Sequence, residues 1–288
     1  MNGETPAPML VGIMKKMQAE LIPRLMIDAS LADLSNVAMR KTSEHDAYDI
    51  DLWANRMFIS TLRDQGFTGA IFTEESGWLD SGDQADGVVI CDPYDNTSLT
   101  FRGFRESSVV ATLGSSATAF QASVIADLQQ YRILYCTDST DSELLTKDGT
   151  GIWTSRPCRT SDVRDIGKAH VAVSLMKRKR RVPKNPDINL FNNVGTLHAV
   201  DGAMMIARVA LGEIDAYVDA YIGQPAYELP AIELVRRAGG VVTDDAGTDL
   251  TFVRIVDVIR TDPDARIKII AAANHDLHEQ IMACRSSV

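Results

Sequence analysis

Two short apolar runs that stop on acidic residues set the strongest limit on the fold. Ala70-Ile71-Phe72 runs into Glu74-Glu75, and Val88-Val89-Ile90-Cys91 runs into Asp92. Each run is short, rich in β-formers and bounded by turn residues, which predicts buried strands. Both deliver carboxylates at their C-terminal ends, where an α/β architecture opens its ligand site.

The rest of the chain fits that frame. Ile13, Met17 and Leu21 recur at helical spacing within a helix expected over about Leu10 to Leu34, interrupted by Pro23. A second helix is expected from Asp51 to Asp64, stopped by Gly66. Strands are expected over Ser108 to Leu113 and Tyr131 to Tyr135, while Ser115 to Leu128 suits helix or strand equally. The Thr-, Ser-, Pro- and Gly-containing stretch Thr150 to Asp165 suggests a boundary, dividing the chain into 1–158 and 159–288. The second half predicts strands at Ala169 to Leu175, Asp215 to Val218, Val241 to Thr243 and Ile267 to Ala272. Helices are expected at Val200 to Val209, Glu228 to Ala238 and His275 to Ala283. The sum is an α/β (or α+β) layered class, helices on sheets.

Composition removes several function classes. Of 288 residues 45% are hydrophobic, so the chain is expected to bury a substantial core. A net charge of -10 disfavours phosphate-backbone partners, so no nucleic-acid role is expected. The basic run Lys177 to Arg181, extended by Lys184, reads as a solvated loop. No segment is apolar for long enough to span a bilayer, and no signal peptide is recognisable. Cys91, Cys136, Cys158 and Cys284 form no CxxC motif, and His198, His275 and His278 have no zinc-ligand spacing. A cytoplasmic protein without a membrane partner is expected.

The richest stretch is Asp92-Pro93-Tyr94-Asp95-Asn96-Thr97-Ser98. Pro93 holds Asp92 extended, and a tight turn would bring Asp95 back toward the same space. Two close carboxylates repel unless a proton or cation lies between them. Magnesium suits them, being hard and oxygen-seeking. Glu75, at the neighbouring strand end, would complete such a site. Thr97 and Ser98 would open a short helix whose N–H groups can meet a phosphate. The ordinary alternative is a solvated Asx turn. Glu228, within Tyr227-Glu228-Leu229-Pro230-Ala231, reads by itself as a helix-start acid favoured by the dipole. Asp51 reads by itself as an N-terminal helix residue in a capping segment.

Together these pieces resemble the inositol monophosphatase and fructose-1,6-bisphosphatase superfamily. The likeness runs from Lys41 and Asp51 through Glu74-Glu75-Ser76 and the Asp92 to Ser98 motif. It continues to Tyr227-Glu228, Ala238-Gly239-Gly240 and Ile269-Ile270-Ala271-Ala272-Ala273-Asn274. The resemblance implies an α-β-α-β-α sandwich and a lithium-sensitive, magnesium-dependent phosphomonoester hydrolase. Two or three Mg2+ ions, replaceable by Mn2+, would be held by Glu74, Glu75, Asp92, the Tyr94 carbonyl, Asp95 and Glu228. Asp51, Glu75 and Thr97 would activate a water, and Asn96, Thr97 and Ser98 would cradle phosphate. Asp219 would bind a substrate hydroxyl. The implied substrate is a small polyol or sugar phosphate, inositol monophosphate first. Fructose-1,6-bisphosphate is an alternative, as is a silent phosphometabolite-binding protein. A homodimer is implied.

Three departures bear on this. Asn96 stands where the family usually has Gly. Tyr227-Glu228 stands where the inositol monophosphatase branch has Trp-Asp, and the spacing from Asp219 to Glu228 is longer than usual. The segment from Lys41 to Asp51 lacks the usual Val-Thr pair.

Overall fold

A computed structural model describes residues 6–25, 37–40, 46–79, 87–101, 106–115, 119–174 and 188–285. Lys41, Arg102, Arg105 and the run from Lys177 to Lys184 lie outside the described residues. The chain divides into two compact units, one comprising Met1–Asp138 and Leu144–Arg156, the other Ser139–Glu143 and Pro157–Val288.

The first unit lays helices on a sheet. Helix α1 (Pro6–Leu25) is followed by the antiparallel pair β1 (Val37–Arg40) and β2 (Asp46–Tyr48), then α2 (Asp49–Asp64). The sheet comprises β3 (Ala70–Thr73), β4 (Gly77–Leu79), β5 (Val88–Asp95), β6 (Ser108–Ser115), β7 (Ala119–Asp127), β8 (Arg132–Thr137), β9 (Glu143–Lys147) and β10 (Trp153–Pro157), with the short helix α3 (Thr97–Thr100) after β5. Its order is β10-β9-β8-β7-β6-β5-β3-β4, and β3 and β5 run parallel. Helix α2 forms because Ile50, Ala54, Phe58 and Leu62 recur every fourth residue, giving one apolar stripe. That stripe and Leu10, Met14, Met17 and Leu21 of α1 bury against Val89, Cys91, Val109, Ala111 and Val124 of the sheet. Full burial of each large side chain contributes about 1.5–3 kcal/mol. Pro23 sits in the last turn of α1.

The second unit has helices on both faces of a five-stranded sheet, order β12-β11-β13-β15-β14. Its strands are β11 (His170–Val173), β12 (Thr196–His198), β13 (Ala216–Pro225), β14 (Val241–Thr243) and β15 (Arg266–Ala272). Its helices are α4 (Ile188–Asn193), α5 (Ala203–Ala210), α6 (Ile232–Arg237), α7 (Phe252–Thr261) and α8 (His275–Arg285). Alternation along the strands divides the faces. Val171, Val173, Ala216, Val218, Ile270 and Ala272 cluster with Leu190 of α4 and Leu277 and Ile281 of α8. Helices α5 and α6 pack together, α5 against β13 and β15 and α6 against β14. Ser142 joins this unit because its N–H and hydroxyl donate to the Arg237 and Leu234 carbonyls.

Several expectations need correction. The stretch left open between helix and strand, Ser115 to Leu128, contains strand β7. The run at Val88 does not end on Asp92 but carries its strand to Asp95. The helix expected over Glu228 to Ala238 is split: a 3-10 segment, Ala226–Ala231, precedes α6. Pro230 lies inside that segment, and its missing N–H removes the bond that a continuous α-helix needs. The mixed α/β layered class holds.

Candidate metal and phosphate site

The Asp92 to Asp95 segment is a strand with an irregularity, not a tight turn. Asp92 pairs with Val110 and Asp95 with Ser108, so three steps along β5 match two along β6. On a regular strand residues i and i+3 face opposite sides; the bulge re-aims them. Pro93 falls inside it, where a missing ladder donor does no harm. The Asp92 carboxylate accepts the Tyr94 N–H at 3.0 Å, closing an Asx turn. As a result Asp92 and Asp95 present carboxylate oxygens within 4.8 Å of each other. Both are buried, at 1% and 3% exposure. Asp95 also accepts the Ser108 hydroxyl at 3.2 Å.

Asn96 then adopts a left-handed backbone with φ 65°, the one positive-φ non-glycine residue among the described residues. Its side chain turns to the Glu106 carbonyl at 3.3 Å. The N–H groups of Leu99 and Thr100 both donate to the Asn96 carbonyl. Thr97 and Ser98 therefore lead the open end of α3, where first-turn N–H groups lack intrahelical partners.

Thr97 meets Asp51 across 46 positions of sequence. Its hydroxyl donates to one Asp51 carboxylate oxygen at 2.6 Å and lies 3.1 Å from the Tyr94 carbonyl. The other Asp51 oxygen accepts the Tyr48 N–H at 2.8 Å, closing a capping box at the start of α2. The helix-capping reading and the Thr97 pairing are thus both realised, by different oxygens. Burial pushes the Asp51 carboxyl up to about 7; bonds from Thr97 and Tyr48 oppose this, and the Glu74 and Glu75 charges add to it.

Glu74, Glu75 and Ser76 form the loop between β3 and β4, closed by the Thr73–Gly77 pair. Gly77, at φ +66°, takes the left-handed position of a three-residue hairpin. Asn55, one turn after Asp51 on α2, donates to the Ser76 hydroxyl at 2.7 Å. The same helix thereby fixes both Asp51 and the acidic loop. Asn55 was missed from sequence. Its signal was the i, i+4 spacing from Asp51, which puts two buried polar residues on one face.

In the second unit, Glu228 lies in the first turn of the 3-10 segment, flanked by buried Tyr227 and Leu229. Asp219 is buried and accepts the Gly223 N–H at 3.0 Å and the Gln224 amide at 3.2 Å. It sits where β13 departs from its register with β15: Asp219 pairs with Ile269, but Gln224 with Ile267. Gly223 is required there, because a Cβ would stand 2.7 Å from the Ile267 carbonyl carbon. Tyr217 is buried beside Asp219, and burial followed by the charges of Asp219, Asp201 and Glu228 pushes its phenol up.

The donor set fits a hard divalent cation. Two buried carboxylates this close need positive charge between them, and oxygen-only donors favour Mg2+ over softer metals. A family model described as the inositol monophosphatase family matches residues 11–288. The chain belongs to this family.

Nus factor SuhB of Escherichia coli K12 is 28% identical over 218 residues, covering 73% of this chain and 76% of that protein. The fructose-1,6-bisphosphatase/inositol-1-monophosphatase of Methanothermobacter thermautotrophicus is 25% identical over 239 residues, 81% of each. The extragenic suppressor protein suhB of Bartonella henselae shares the fold, with a TM-score of 0.75 at 19% identity, covering 96% of this chain and 98% of that one. Membership supports a metal-dependent phosphatase of small phosphorylated metabolites. Among the described residues no helix is long and apolar enough to cross a membrane.

Proposed function

We propose that this protein hydrolyses a phosphomonoester of a small polyol or sugar, inositol monophosphate first. The observation that carries the reading is the 2.6 Å Thr97–Asp51 bond within the same unit as the bulge presenting Asp92 and Asp95. Glu75, Asp92, the Tyr94 carbonyl and Asp95 would hold Mg2+, with Glu74 serving a weaker position and Glu228 a distal one. Mn2+ would replace it. When bound, the metals supply Lewis-acid polarisation of the phosphoryl group and neutralise charge on its oxygens.

The protein residues supply orientation and a proton path. With its hydroxyl proton donated to Asp51, Thr97 Oγ1 offers a lone pair to an incoming water. As the water attacks phosphorus in line, its proton passes to Thr97 and the threonine proton to Asp51, while the ester P–O bond breaks and the departing alkoxide takes a proton from a second water. Glu75 orients the water from the hairpin loop. The open N–H groups of Thr97 and Ser98 take the phosphate oxygens, and the Asn96 backbone conformation aims them. Asp219, which also holds the β13 bulge through the Gly223 N–H and the Gln224 amide, would bind a substrate hydroxyl. A homodimer is part of this proposal.

The alternative substrate, fructose-1,6-bisphosphate, is favoured by the dual name of the Methanothermobacter relative and by Tyr227-Glu228. The deciding experiment measures Mg2+-dependent phosphate release from inositol 1-phosphate, fructose-1,6-bisphosphate and phosphoadenosine phosphate. Each carries an EDTA control and a Glu75→Gln variant. One strong activity lost in both controls supports the reading and selects the substrate. Metal binding without release from any phosphoester overturns catalysis in favour of a silent binding protein.

A further inference from the structure

We propose that His170 and His198 form a second metal site, a bidentate imidazole chelate for a borderline divalent ion of the zinc class. His170 opens β11 and His198 closes β12, the edge strand of the second unit's sheet. The strands pair in parallel, His170 opposite Thr196 and Ala172 opposite His198, so the two imidazoles are diagonal neighbours. Their rings stack at 5.5 Å between centroids and 24° between planes. His170 Nδ1 lies 3.2 Å from His198 Nε2. The contact is a hydrogen bond in which the tautomer decides which nitrogen donates and which accepts.

The same separation suits a shared ion. Zinc–imidazole bonds of about 2.0–2.1 Å spanning that gap subtend roughly 100–105°, close to the tetrahedral angle. The rings stand nearly parallel, so each must turn about its ring torsion for both in-plane lone pairs to meet one ion. His170 is exposed and His198 half-buried, so an ion has access and water can fill its remaining positions. The backbone beneath is fixed: the His170 N–H donates to Asp215 at 2.7 Å, and the Thr196 N–H to the Ala169 carbonyl at 2.9 Å. Pre-positioned ligands lower the ordering cost of binding. The acidic chain attracts cations generally. Nitrogen ligands distinguish this site from the oxygen-only set of the phosphatase centre, directing zinc-class ions here and Mg2+ there.

The test is calorimetric titration of the full chain with Zn2+ at pH 7.5 in saturating Mg2+. Wild type is compared with His170→Asn and His198→Asn, and circular dichroism verifies folding of all three. Loss of one equivalent of Zn2+ in each variant is the expected result. A Cys284→Ser control retains that equivalent. Unchanged stoichiometry in either folded histidine variant, or loss in the cysteine control alone, overturns the proposal. Phosphate release is not the readout, so failure here is distinct from failure of the phosphatase reading.

Discussion

At the residue scale, the Thr97–Asp51 bond ties a strand-end motif to the start of a helix. Thr97→Ala removes the proposed relay and is expected to lower kcat about 10²–10⁴-fold. It costs about 1 kcal/mol of stability through the lost hydrogen bond. Thr97→Ser keeps the hydroxyl and restores most of the rate, which single-turnover phosphate release would show. Asn96 tests a different cost. Its left-handed backbone is penalised for ordinary side chains by about 1–2 kcal/mol, and asparagine reduces this with its bond to Glu106. Asn96→Ala is therefore expected to lose about 1 kcal/mol in urea unfolding, and Asn96→Gly to stay near wild type with activity intact. A rise in activity for Asn96→Gly with unchanged stability would show that the side chain obstructs phosphate. The acids and Thr97 were legible because their residue types and order carry the chemistry. The bulge that aims Asp92 and Asp95 was not, since register depends on the partner strand.

At the element scale, the β14–α8 contact carries a pH response. The Thr243 hydroxyl donates to the Asp244 carbonyl at 2.9 Å, so at 2.8 Å it accepts the Nε2 proton of a neutral His278. Burial first, and the His275 charge second, hold the His278 imidazole below its ordinary 6.5, with Glu279 and Asp249 opposing. Below pH 6.5 the unfolded chain thus binds a proton that the folded chain resists. Stability is complete above that value and falls as the pH drops toward the folded pKa. Urea midpoints between pH 7 and 5 should show this slope, and His278→Gln, which keeps a donor, should flatten it. An equal slope in the variant would assign the response elsewhere. Helix α2, through its apolar period, and β3, through its continuous apolar run ending on acids, were readable from sequence. Helix α7 was missed although Thr251 caps it and Phe252, Ile255, Val256 and Ile259 follow helical spacing. The short strands β4 and β12 give too few residues for a period to emerge, and hairpin and parallel partners define them.

At the scale of the whole molecule, the candidate metal site sets stability against the proposed chemistry. Asp92 and Asp95 bring two buried carboxylates together on a strand whose neighbours are among the most buried of the first unit. Without a cation, that arrangement opposes folding through like-charge repulsion and desolvation. A ligand that binds the folded state alone stabilises it by about 2.7 kcal/mol at one hundred times its dissociation constant. At about 2–4 °C per kcal/mol, Mg2+ is expected to raise Tm by roughly 5–10 °C. K+ at matched ionic strength should not, because screening by salt lacks the site's geometry. Asp92→Asn separates the two effects. It removes one of the opposed charges, so the metal-free variant should melt at or above metal-free wild type. It should also lose most of the Mg2+-induced rise and the phosphate release with it. A metal-free Asp92→Asn that melts well below wild type would overturn this balance: the asparagine amide oxygen still accepts the Tyr94 N–H, so the loss would show that the Asp92 charge stabilises the metal-free fold rather than opposing it.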